Sequence, residues 1–219
     1  MAMDAKTAEQ VLQHIEPGEL AQLACQLVDH RSPTGHEAPL AEFILDWYAS
    51  HGIKPVRQEV EPGRPNAVGV LKGTGRGMSL MFNGHMDTSF TGTEEDRLIT
   101  TVDNNEDLGG RIEAGKVRGL GISNMKGGLA SIVMAAEDIR KSGVSLKGDL
   151  VVACVVGETQ GGEGTHYLME SGFRTDMAVV AEQFGVGNLV TVHAGIVHMA
   201  IHTYGVTGHI SLIEKTVNA

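Results

Sequence analysis

Basic side chains are in short supply. The 219 residues hold 17 Lys and Arg against 27 Asp and Glu, a formal net charge of −10. Such a chain has no general basic face, which argues against binding to nucleic acid or to an anionic membrane. Cysteine is scarcer still. Cys25 falls in a helical pattern and Cys154 in an apolar strand run, so both read as buried small side chains and not as a disulfide framework. No apolar stretch approaches the length of a membrane span. The N-terminal MAMDAKTAEQ lacks the basic-then-apolar layout of a signal peptide, and the expected compartment is the cytoplasm. Internal repeats and low-complexity tracts are absent too. What is left is an ordinary globular composition, long enough for one large domain or one and a half.

The organising stretch is Met81 to Thr88, MFNGHMDT. A short apolar run ends at Asn83-Gly84 and presents His85, Met86 and Asp87. Open α/β sheets place their ligands at such strand ends. His85 offers an imidazole nitrogen, the commonest metal ligand. Asp87, two residues on, suits the partner that accepts the other ring N–H and fixes the tautomer. For His-x-Asp alone, the competing reading is a histidine that caps a turn.

Around that stretch the pattern alternates. Helical periodicity covers Pro17 to His30 and Glu37 to Ser50, with Arg31 to Gly35 as a turn between them. Strands are expected at Ile53 to Val60, Ala67 to Leu71, Asp149 to Val156 and Met177 to Ala181, with helices from about Lys126 to Lys141 and up to Ser171. Thr91 to Gly110 is polar and without period, a loop or rim over the site. Three strands then end in chemistry, at His85, Glu158 and Glu182. Parallel strands would bring all three to one sheet edge. From about residue 186 the pattern changes to alternation, with strands expected at Leu189 to Val192 and Ile196 to Tyr204. The expected fold class is α/β: a mixed, mostly parallel sheet with helices on both faces, spanning 1–186. The start of an inserted α+β lid is expected at 187–219.

The glycine-rich stretch at 119–128 fails as a phosphate loop, because Lys126 is followed by Gly127 and not by Ser or Thr. Lys126 itself is expected to be solvated. Glu163 reads as a first-turn carboxylate favoured by the helix dipole. His198 and His202 read as one polar face of a strand. His14, His30, His36, His51, His166 and His193 read as surface residues.

Taken together, GHMDT at 84–88, GLGISNMKGG at 119–128, GETQGGEGT at 157–165 and Glu182 resemble the M20 family of metallo-aminoacylases and peptidases in order and spacing. Ser32 to Glu37 resembles its N-terminal S-x-x-G-x-E turn. GHIS at 208–211 with Val217-Asn218-Ala219 resembles the start of its lid. The resemblance implies hydrolysis of small-molecule amides, N-acyl amino acids or small peptides, by a zinc (or cobalt or manganese) centre. It implies His85 and Glu182 as ligands of the first metal, Asp87 as orienter and Glu158 as proton shuttle. His209 matches a lid histidine that reaches the partner's site in dimeric members, so a homodimer through the lid is expected. The Asn124–Met125 peptide is expected to be cis.

Three positions depart from the family pattern. Its bridging aspartate is Asn124 here, and the glutamate ligand after the shuttle is Thr159. A downstream histidine ligand has no counterpart before Ala219, so the chain is expected to be an N-terminal portion. The expected metal set is therefore His85, Asn124 and Glu182, holding one ion and not two. The rival reading is a non-catalytic, metal-poor relative that binds a small molecule or serves as a scaffold on the same fold.

Overall fold

The structure is a computed structural model that describes residues 5–93, 96, 108–192, 194–195, 197, 199, 201–206 and 209. Five α-helices are described: α1 (Ala5–Leu12), α2 (Pro17–Asp29), α3 (Ala38–Ser50), α4 (Gly127–Lys141) and α5 (Glu163–Glu170). Seven strands accompany them: β1 (Lys54–Glu61), β2 (Arg64–Leu71), β3 (Leu80–His85), β4 (Arg111–Glu113), β5 (Lys116–Arg118), β6 (Leu150–Val155) and β7 (Met177–Val180).

The main sheet has the order β1-β2-β6-β3-β7. β1 and β2 form an antiparallel hairpin, β2 is antiparallel to β6, and β3 is parallel to both β6 and β7. β2 thus runs against the other four strands, and the sheet is mixed and mostly parallel. All six residues of β6 are buried, as a strand covered on both faces requires. Leu150, Val152 and Cys154 point into the core formed with α2, α3 and α4. Val151, Ala153 and Val155 point the other way, towards Leu168 of α5. The three-layer arrangement follows directly from that alternation.

Pro17 starts α2 with its missing N–H at a position that needs no partner. Leu23, Ala24, Leu27 and Val28 form its buried stripe. α4 begins with two glycines, and the second is there for space. A Cβ on Gly128 would lie 2.0 Å from the carbonyl oxygen of Ala181, the residue before Glu182. Close approach of the helix to the end of β7 therefore requires the missing side chain.

Several expectations are corrected. The 189–192 stretch forms no strand, nor do the described residues of 196–204. Val190, Val192, Val197, Met199, Ile201 and Tyr204 are all exposed. Alternation gives a strand one apolar face, but a strand also needs a neighbour for its backbone groups. α1 and the short β4–β5 hairpin were not foreseen. Lys126 is not solvated: it is 1% exposed. Cys154 is buried, but Cys25 is only half-buried. Most of the expected rim at 91–110, together with His193, His198, 207–208 and 210–219, lies outside the described residues. Among the described residues, no helix is long and apolar enough to cross a membrane.

Replacing Gly128 by alanine should push the end of β7 away from α4. The expected loss is about 1–3 kcal/mol, as for other overpacked sites, read as a lower denaturation midpoint. An unchanged midpoint would mean that the helix can shift without cost.

Candidate functional site

The parallel register sets His85 opposite Val155, and Met86 N–H donates to the Val155 carbonyl at 2.7 Å. Two residues past Val155, the chain turns at Gly157 in the left-handed region (φ +70°), which only glycine enters without steric cost. That turn starts the short helix Glu158–Gln160 beside His85. Glu182 follows β7 on the other side of β3.

Asp87 ties these pieces together. It is fully buried. Its Oδ1 accepts the Glu158 N–H at 3.0 Å, and its Oδ2 accepts the Thr159 N–H at 3.1 Å. The Thr159 hydroxyl donates to the same Oδ2 at 3.0 Å. Burial alone would raise the Asp87 pKa, but His85 and the two N–H groups outweigh it and hold the carboxyl well below the usual range. His85 Nδ1 donates to the Asp87 backbone carbonyl at 2.8 Å, with the carboxylate at 3.4 Å. The ring is thus held by the residue the sequence indicated, through its carbonyl more closely than through its side chain.

With Nδ1 donating, Nε2 faces the open side. Asn124 Oδ1 lies 2.9 Å from it, Glu182 Oε1 3.1 Å and Glu158 Oε2 4.0 Å. The Asn124–Met125 peptide is cis, as the resemblance implies. Burial would lower the pKa of His85, but Asp87 and Glu182 reverse that and raise it to about 10. The imidazolium in turn lowers the pKa of Glu182.

These groups fit a cation. Without an ion the imidazolium's own Nε2–H serves these oxygens; a neutral ring would point its Nε2 lone pair at oxygens that themselves only accept, so a cation can take the place of that proton. Ligands about 2.0–2.2 Å from a tetrahedral zinc stand roughly 3.3–3.6 Å apart. The distances of 2.9, 3.1 and 4.0 Å bracket that spacing. Asp87 also lies within 4.8 Å of His85 and Glu158, but its oxygens are already taken up by the loop that follows β6.

Sequence reasoning missed the supports. The Thr34 hydroxyl lies 2.6 Å from that of Thr159 and 3.3 Å from Asp87 Oδ2. Ser32 Oγ donates to the Met86 carbonyl at 2.7 Å. Arg64 grips buried Glu37 with two hydrogen bonds, at 2.7 and 3.0 Å, and so anchors the Ser32–Glu37 turn to β2. Lys126 Nζ donates to the His30 carbonyl at the end of α2, where the helix dipole favours a cation. Burial lowers its pKa to about 8. The S-x-x-G-x-E pattern was a signal for the first three of these; burial of a lysine leaves none. His209 is exposed and follows the last strand, β7, in sequence.

Comparison with known proteins identifies the family. The model of peptidase family M20/M25/M40 matches residues 81–212. An N-formyl-4-amino-5-aminomethyl-2-methylpyrimidine deformylase of Bacillus subtilis is 34% identical over 218 residues, covering 90% of this chain and 50% of its own. The aminopeptidase PepT of Bacillus cereus is 21% identical with a TM-score of 0.60, over 76% of this chain and 43% of that one. The YXEP protein of Bacillus subtilis, described as a dinuclear metal binding peptidase from the M20 family, is 17% identical with a TM-score of 0.53, over 75% and 42%. The chain spans about half the length of the curated relatives it matches. A strand-end imidazole among acceptor oxygens, on this sheet and with this family match, places the chain in peptidase family M20/M25/M40.

Proposed function

We propose that the protein to which these residues belong hydrolyses amide bonds in N-acyl amino acids or small peptides with the help of a divalent metal ion. The observation that carries this reading is the set of acceptor oxygens around His85 Nε2, with a second carboxylate, Glu158, half-exposed beside it. The relative at 34% identity is named for removal of an N-formyl group, which is bonded to nitrogen as an amide.

His85 Nε2, Glu182 and Asn124 Oδ1 would hold the ion, most simply zinc, with cobalt or manganese as substitutes. When bound there, such an ion supplies Lewis acidity, which polarises the scissile carbonyl and acidifies a water. Glu158 takes the proton from that water as its oxygen attacks the carbonyl carbon. The same carboxylate then delivers the proton to the amine nitrogen as the C–N bond breaks. Asp87 keeps Nδ1 as the donor, so Nε2 stays available. By resemblance, 1–186 is the catalytic unit and 187–219 begins a lid, through which two copies pair and His209 stabilises the oxyanion of the partner's substrate. Asn124 and Thr159 favour a second reading, a metal-poor relative that binds a small molecule without turnover.

Two carboxylate variants separate these roles. Glu158→Gln should keep the ion bound, with only the modest loss of affinity that one nearby charge supplies, and lose about 100-fold or more in turnover of N-acyl amino acids, the scale of general-base catalysis. Glu182→Gln should instead weaken the ion, because a ligand must carry charge. Normal turnover in Glu158→Gln would refute the assignment. Tight ion binding by a wild-type protein that turns over no amide would favour the second reading.

Asp87→Asn tests the orienter. An amide cannot accept from every donor that now surrounds the carboxylate, and one or more N–H groups would be left unpaired. The metal-free protein should lose about 2–3 kcal/mol in chemical denaturation, the cost of a buried hydrogen bond to a charged group. An unchanged midpoint would show that the charge of Asp87 does not hold the loop.

A further inference from the structure

Glu158 and Glu182 are the two anionic groups beside His85 Nε2, and Asn124 Oδ1 is neutral. Their charge balances one divalent ion. A second would leave the partly buried site with two uncompensated positive charges, a cost that buried sites avoid by binding fewer cations. The M20 protein YXEP is described as dinuclear, so the difference lies in this chain's own residues.

Thr159 shows what replaced the missing charge. Its hydroxyl is 3.0 Å from Asp87 Oδ2 and 2.6 Å from the hydroxyl of Thr34. Thr34 Oγ1 is farther from Asp87, at 3.3 Å. Each hydroxyl has one proton. The distances order them as a chain: Thr34 donates to Thr159, and Thr159 donates to Asp87. With its proton given to Asp87 and one lone pair given to Thr34, the Thr159 oxygen is neutral and held in one orientation by both bonds. Turning it towards an ion would break both bonds.

We infer that this site is built for one divalent ion, and that Thr34 and Thr159 are positioning residues whose hydroxyl chain locks Asp87 and, through it, the His85 ring. The inference rests on the reading of His85 as an ion ligand. It extends that reading by tying ion count and ring position to a turn that lies some fifty residues before the histidine.

The test is calorimetric titration of the metal-stripped protein with Zn²⁺, in wild type, Thr159→Val, Thr159→Ser and Thr34→Val. Wild type should take one tight equivalent. Thr159→Val should keep that stoichiometry and bind about tenfold more weakly, the usual effect of removing a group that orients a metal-binding histidine. Thr159→Ser should restore the affinity. Two tight equivalents in wild type, or unchanged affinity in Thr159→Val, would overturn the inference. No tight binding in wild type would overturn the ion site itself. The clamp is then judged on metal-free melting temperatures: Thr34→Val and Thr159→Val together should lose less than the sum of their separate losses. Additive losses would overturn it.

Discussion

Everything at this site depends on the parallel register of β3 against β6. With His85 opposite Val155, the chain beyond β6 reaches Asp87 after only two residues, Val156 and Gly157. Slipping β6 by one residue would send Leu150, Val152 and Cys154 to the α5 side and Val151, Ala153 and Val155 to the helix side. Both sets are buried and differ in shape, so the register is fixed by packing on two faces at once. The chemistry inherits that precision, because Glu158 N–H, Thr159 N–H and the imidazole all meet one carboxylate.

Around this frame, charge is arranged in layers. Asp87 is an anion satisfied by backbone and hydroxyl donors. His85 Nε2 faces the oxygens of Asn124 and Glu182, which accept from the imidazolium's N–H or, with a neutral ring, share a cation with it. Farther out, buried cations hold the scaffold: Arg64 on Glu37 and Lys126 on the end of α2. Lys126 and Asn124 lie on one wide turn, so the contact that closes α2 also fixes where Asn124 begins. An acidic protein thus keeps its few buried cations at the joints that position the site.

Much of this was legible in the sequence, for identifiable reasons. His85, Glu158 and Glu182 each end an apolar strand run, and strand order brings such ends together. The bend at Asn124 was legible through resemblance. The role of Asp87 was legible in outline, but not that its carbonyl takes Nδ1. Lys126 was misread because nothing local distinguishes a lysine buried by tertiary packing from a solvated one. The strands expected after residue 186 rested on alternation alone, whereas the strands that do form have partners on at least one side. Thr34 and Thr159 stand far apart in sequence, and only the fold brings their hydroxyls within 2.6 Å.

The central claim is that one divalent ion sits where His85 Nε2, Glu182 and Asn124 Oδ1 converge. The most direct measurement is an anomalous difference map at the zinc edge from crystals of the zinc-loaded protein. The account predicts a single strong peak bonded to His85 Nε2 and Glu182, with Thr159 still hydrogen-bonded to Asp87. Two peaks a few ångströms apart, or a peak that leaves His85 bare, would contradict it.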